Sequence, residues 1–209
     1  MLLADDYFLL GVSDRTGRPK LAPKVFALGV AGALLGELIL DERITVEGDR
    51  IQLINRHPPA DALAHTILDH LLAEGASTHP VRTWLVFLAR QSVEQVAERL
   101  WRAGHIRRER SRRLFSTETL YPPIEPNVAY WPTARLSTAL GRGRQFTWPD
   151  AALAGLAVAT GLDEYLLYTG ETAARDYLRH IIDHLTAALH ALVWHLDAAV
   201  GDAVLTGRT

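Results

Sequence analysis

The 209-residue sequence has no cysteine. That excludes disulfides, thiolate metal sites and a cysteine nucleophile, and it removes the commonest compositional sign of secretion. Lysine is nearly absent as well: twenty of the 22 basic residues are arginine, and only Lys20 and Lys24 are not. Together with abundant alanine, leucine and glycine, this bias points to a GC-rich bacterial genome. No basic segment precedes an apolar one at the start, where Asp5 and Asp6 arrive at once, so no secretory signal is expected. The longest apolar run, Val25–Leu40, is shorter than the roughly 20 residues a bilayer-spanning helix needs and carries Glu37 inside it. A cytoplasmic protein that at most lies on a membrane follows. The G-x-x-x-x-G-K-[ST] and G-x-S-x-G signatures are both missing, and the glycines of Val25–Leu40 follow no strand. P-loop, α/β-hydrolase and dinucleotide-binding chemistry are therefore not expected.

With 48% apolar and 22% charged residues, the chain can bury a substantial core, and its length suits one domain. The net charge is only −2, but it is unevenly spread. From Arg99 to Arg113 there are seven arginines (99, 102, 107, 108, 110, 112 and 113) and one acid, Glu109, a local balance of +6. A patch of this kind attracts polyanions: an anionic membrane face, nucleic acid or an acidic partner.

Periodicity predicts a mainly α-helical domain with short β-hairpins. Leu2–Val12 reads as a short helix, with Asp5 and Asp6 at its positive end. Ser13–Pro23 contains D-R-T-G-R-P and reads as a turn. Lys24–Leu40 is apolar almost all round and should be buried, with Gly29, Gly32 and Gly36 allowing close helix approach. Ile44 and Val46, then Glu47-Gly48-Asp49, then Ile51 and Leu53 make a hairpin pattern. Helices are expected at Asp61–Gly75, Pro80–Arg90 and Ser92–Ala103, followed by a second hairpin at His105–Ser116. The spacing Leu38…Ile44…Leu53 recurs as Leu100…Ile106…Phe115, offset by 62, so two helix-hairpin, winged-helix-like units are predicted. Thr117–Thr133 reads as a proline-blocked connector, Ala134–Leu140 as a short helix and Gly141–Arg144 as a flexible basic turn. Long helices are expected at Asp150–Tyr168 and Ala173–Val200, the last with Tyr177, Leu178, Ile181, Leu185, Leu189 and Leu192 facing the core.

Candidate chemistry is sparse. His180 and His184 stand at i and i+4, but no third ligand or general base accompanies them, so surface histidines are the plain reading and no metal or other cofactor is expected. An enzyme is not expected. Nucleic-acid binding is the weaker alternative, because the helix before the basic hairpin would present Glu94, Gln95 and Glu98 to phosphates. For a membrane surface the pattern is favourable. Each arginine near anionic lipid contributes about 1 kcal/mol, and Trp101, Leu114 and Phe115 lie beside the arginines, ready to enter the headgroup layer.

Several segments resemble the Golgi phosphoprotein 3 family in its bacterial branch. They are L-A-D-D-Y-F-L-L-G from Leu3, D-R-T-G from Asp14, and G-A-L-L-G-E-L from Gly32 with Arg43-Ile44 closing the segment. V-A-E-R-L-W-R-A-G-H-I from Val96 and the basic hairpin look like the family's later helix and hairpin. The resemblance implies a single, mostly helical domain over residues 1–209 with no catalytic role. It implies peripheral membrane binding through a phosphoinositide-like headgroup, a hairpin used for membrane contact and homo-oligomerisation, and in some members an adaptor role for membrane-protein clients. The family's headgroup pocket uses a tryptophan, an arginine on the next helix and two arginines of a later helix. Here those positions fall at Ala22, at Ala31, at Arg90 and near Val93. General anionic lipid is therefore the expected ligand, held by Lys20, Lys24 and Arg90. Arg107, Arg108, Arg110, Arg112, Arg113, Leu114 and Phe115 form the expected membrane and oligomer hairpin.

Overall fold

In a computed structural model, residues 1–113, 116–167 and 172–206 are described. The chain is mainly α-helical, with two separate two-stranded antiparallel sheets among the described residues. Everything is built on α2 (Pro23–Leu40), which packs against α1 (Leu3–Gly11), α4 (Val81–Ala89), α5 (Ser92–Arg102), α7 (Trp148–Thr160) and α9 (Ala187–Thr206). A helix with partners on every side has no polar face to keep, which is why its sequence shows no amphipathic stripe. Its glycines admit those partners. A Cβ at Gly29 would lie 1.8 Å from the Tyr7 hydroxyl, and one at Gly36 would lie 2.7 Å from Leu3 Cδ2. At Gly32 the neighbours are Leu196 and Leu156. Among the described residues two helices are long and apolar enough to cross a membrane, α2 and α9, but α2 is buried within the protein itself.

The first hairpin, β1 (Ile44–Glu47) and β2 (Arg50–Leu53), lies where the alternation predicts it, but its turn is shorter than expected: Ile44 stands opposite Leu53, and Glu47 is in β1 opposite Arg50. Gly48 takes φ +58° at the turn, and its carbonyl meets His195 Nε2 of α9 at 2.8 Å. His195 is buried, so the ring nitrogen facing that carbonyl carries the proton. α3 (Ala62–Glu74) is capped by Asp61, whose carboxylate accepts from Ala64 N–H at 2.9 Å. Trp84 of α4 is buried and donates its indole N–H to the Ala76 carbonyl at 2.9 Å.

The second hairpin is β3 (Glu109–Arg113) and β4 (Ser116–Leu120). The offset of 62 holds for the helix ends and for the buried Ile44 and Ile106, but not for the strands: β3 begins three residues later than the repeat requires. Ile106 instead forms an isolated bridge with Pro123 that closes the hairpin's base.

Three expected boundaries move. The proline-rich stretch is not one connector, because β4 occupies its start and α6 (Pro126–Arg142) its end. Pro126 sits in the first turn, where its missing N–H costs nothing, and Gly143, at φ +57°, ends the helix where a basic turn was expected. α7 stops at Thr160 because Gly161 adopts φ +81°. The last helix is two. α8 (Thr172–Asp183) ends, and Thr186 opens α9 by accepting from Leu189 N–H at 3.4 Å. Leu178, Ile181, Leu185, Leu189 and Leu192 are buried as predicted. Tyr177 is only partly covered and donates its hydroxyl to the Arg144 carbonyl at 2.8 Å.

Candidate functional site

The arginine-rich stretch does not act as one outward patch, because Arg99 turns into the protein. It lies on the inner side of α5 and engages three carboxylates: Asp5 at 2.8 Å, Glu37 at 2.9 Å and Asp61 at 2.9 Å. Glu37 also accepts from Ala4 N–H at 2.7 Å. Burial raises the Glu37 carboxyl above its ordinary range despite the guanidinium, and the surrounding carboxylates hold the Arg99 proton more tightly than usual. A second hub, Arg135 of α6, joins Asp6 at 2.8 Å and Asp150 at 2.7 Å. Asp5 and Asp6 are thus more than dipole-favoured residues of a first turn. They fasten α1 to α5 and to α6. Sequence spacing cannot reveal this, since the partners lie 94 and 129 residues away.

Beyond Arg99, a left-handed Gly104 reverses the chain, with His105 N–H returning to the Leu100 carbonyl at 2.9 Å. β3 then leaves the helix and pairs with β4. Arg108 pairs with Glu98, which also holds Arg102 at 2.7 Å, and Arg110 shares a cleft with Glu94 and Gln95, still earlier on the helix. That cleft, about 940 Å³, separates the hairpin from α3 and α5. The Arg108 guanidinium also sits over the exposed Trp101 ring, 5.2 Å from its centroid. On the hairpin's other side a smaller cleft of about 480 Å³ lies against the 13–19 turn and includes Arg107 and Glu109. Among the described residues, Arg107 and Arg110 make no ion pair. Arg112 and Arg113 contribute backbone to β3. Their side chains, and Leu114 and Phe115 altogether, lie outside the described residues.

At the start of α5 the Ser92 hydroxyl donates to the Ala27 carbonyl at 3.1 Å, tying α5 to the first turns of α2. Arg90, exposed, ends α4 just before this junction. Lys24, also exposed, lies one turn before Ala27 on α2 and donates to Thr206 Oγ1 at 3.1 Å. Val86, Val204 and Leu205 are exposed apolar residues on the adjoining α4 and α9. Lys20 is placed differently. Half-buried, it caps the end of α1 by donating to the Leu10 carbonyl at 2.8 Å and rests 5.0 Å from the Tyr165 ring centroid. Burial lowers its pKa below the usual lysine value.

The sequence profile of the Golgi phosphoprotein 3 (GPP34) family matches residues 3–204, nearly the whole chain. The chain belongs to the Golgi phosphoprotein 3 family. No curated protein matches it. Within this family member, the motifs that carried the resemblance are the pieces that meet in space: L-A-D-D of α1, G-E-L of α2 and E-R of α5 converge at Arg99, and D-R-T-G packs on the hairpin base.

Other candidates do less. The His180 and His184 rings stand 4.0 Å apart, with His184 Nδ1 2.7 Å from the His180 carbonyl. Among the described residues no group of three His, Asp or Glu side chains is placed to hold a metal ion. Asp5, Glu37 and Asp61 do converge, but on Arg99.

Proposed function

We propose that this protein is a non-enzymatic peripheral membrane protein that docks on anionic lipid through Lys24, Arg90 and the arginines of the second hairpin. The observation that carries it is that these cations are not neutralised: Lys24 and Arg90 are exposed, and Arg107 and Arg110 have no carboxylate partner among the described residues. Exposed Val86 precedes Arg90 on α4, and exposed Val204 and Leu205 of α9 lie beside Lys24, as suits a surface that meets headgroups and acyl chains together. At about 1 kcal/mol per cation near an anionic surface, four or five such groups give attachment in the range of about 0.2–1 mM. Lys20, turned toward the Leu10 carbonyl, caps α1 and is not a headgroup ligand in this proposal. An adaptor role for a membrane-protein client and a hairpin-mediated homo-oligomer extend the same proposal.

Groove reading of nucleic acid fits less well. Glu94, Gln95 and Glu98, the polar face of α5, look into the cleft beneath the hairpin and are not presented as a reading face.

Co-sedimentation with vesicles tests the proposal. Binding is expected to rise with the anionic lipid fraction and to fall steeply with salt. Reversal of Arg107, Arg108, Arg112 and Arg113 to glutamate is expected to abolish it with the helical circular dichroism unchanged. Equal binding to neutral and anionic vesicles would refute it.

A further inference from the structure

The smaller cleft, on the face of the hairpin away from α5, carries a feature that general membrane attraction does not need. Three arginines converge on it from segments about ninety residues apart: Arg15 and Arg18 from the 13–19 turn and Arg107 from the approach to β3. Glu109 is the one acid in its lining, and Leu120 and Pro122, both buried, form an apolar wall. Among the described residues none of the three guanidinium groups is in an ion pair. The local balance is +2.

The frame that holds them is rigid. The turn is closed by Gly17 N–H to the Ser13 carbonyl and Ser13 N–H to the Arg18 carbonyl, both at 2.8 Å, and by a bridge between Val12 and Pro19. It is pressed onto the hairpin base at Gly17. There φ is +65°, and a Cβ would fall 2.2 Å from Pro122 N and 2.2 Å from the Tyr121 carbonyl carbon. Arg107 is fixed by its own N–H, which donates to the Pro122 carbonyl at 2.8 Å. A backbone this close explains why glycine follows D-R-T, and it places three guanidinium-bearing residues around one hollow without a neutralising partner for each. Like charges are not held together at such a place for stability, since they repel.

We propose that this cleft is a discrete binding site for a phosphomonoester group. Arginine forks match phosphate oxygens bidentately. A monoester carries about −1.5 to −2 charges at neutral pH, which complements the +2 of the lining, whereas a phosphodiester or a carboxylate carries only one. The Leu120–Pro122 wall offers the ester's carbon skeleton an apolar surface, and a volume of about 480 Å³ suits a headgroup-sized molecule. The source can be a soluble phosphomonoester or a lipid with a terminal phosphate; the recognition chemistry is the same. The site goes beyond general attraction to anionic lipid and does not depend on it.

The test uses the full chain and glycerol 3-phosphate, titrated by calorimetry, with glycerol 3-phosphocholine as the diester control. Saturable one-to-one binding of the monoester is expected, at least tenfold tighter than the diester. The double variant R15Q/R18Q is expected to lose tenfold or more, while R179Q, exposed on α8, keeps wild-type affinity. In a vesicle arm, phosphatidic acid and phosphatidylglycerol are compared at matched surface charge. Preference for phosphatidic acid that vanishes in R15Q/R18Q, with phosphatidylglycerol binding retained, assigns the site to lipid. Monoester binding without that preference assigns it to a soluble ligand, and monoester binding with no vesicle binding at all keeps the site and rejects the membrane proposal. No saturable monoester binding, or unchanged affinity in a folded R15Q/R18Q, overturns the inference.

Discussion

Replacing Arg99 by methionine removes the cation on which Asp5, Glu37 and Asp61 converge while keeping the length of the side chain. The Arg99 side chain is 14% exposed, and those of its partners are 11%, 6% and 24%, so solvent screens these pairs little. Breaking a buried ion pair by deleting one partner costs about 3–5 kcal/mol, because the remaining charge stays buried without compensation. Three carboxylates are stranded here, but Asp61 is the most exposed and still caps α3, so a loss of about 4 kcal/mol is expected. With a urea m-value of about 2.5 kcal/mol/M, the denaturation midpoint should fall by roughly 1.6 M. The pH dependence gives a second handle. Burial already raises Glu37 with Arg99 present; without the guanidinium the carboxyl rises further. A folded-state acid pKa above the unfolded one means that the folded protein holds the proton more tightly. The penalty is therefore absent below the unfolded value and appears as pH rises through the folded one. The wild-type–variant difference should accordingly shrink as pH falls from 7 toward 5. Urea titrations followed by circular dichroism at both pH values measure it. A loss below about 1 kcal/mol at pH 7, or a gap that widens on acidification, would refute the buried-hub account.

Gly29→Ala should cost about 1–3 kcal/mol by overpacking, since its Cβ would overlap the Tyr7 hydroxyl. Gly48→Ala, with open space around it and only a left-handed backbone to strain, should cost about 1 kcal/mol; thermal melts of the pair separate the two causes. Tyr7→Phe deletes the buried hydrogen bond to Thr160 Oγ1 at 2.9 Å and should cost about 1 kcal/mol in the same melts. Trp84→Ala empties a buried indole site and should cost about 3–5 kcal/mol in chemical denaturation.

Much of the fold was legible in the chain itself. α2 announces itself as buried because a helix apolar on all sides has nowhere else to go, and the existence of the β1–β2 hairpin follows from alternation on either side of Gly48. α3, α4 and α5 stand within two residues of the periodic pattern. Elsewhere local signals compete. Pro126, one of a cluster of prolines that blocks helix on average, starts α6, and the Thr186 cap breaks an apolar period that is continuous in sequence. For the site, sequence located the charge but not its use. Arg99 and Arg107 look alike in a run of arginines, yet one closes a buried carboxylate cluster and the other borders an open cleft.

Local composition thus determined which segments are helices, where a hairpin turns, and that positive charge concentrates near residue 105. It did so because propensity, periodicity and charge are properties of neighbours in the chain. Which arginines are neutralised, that Ser92 ties α5 to the first turns of α2, and that the 13–19 turn meets the hairpin base were decided only in three dimensions. Ion pairs and close backbone contacts depend on distances between residues far apart in sequence, and packing around α2 sets those distances.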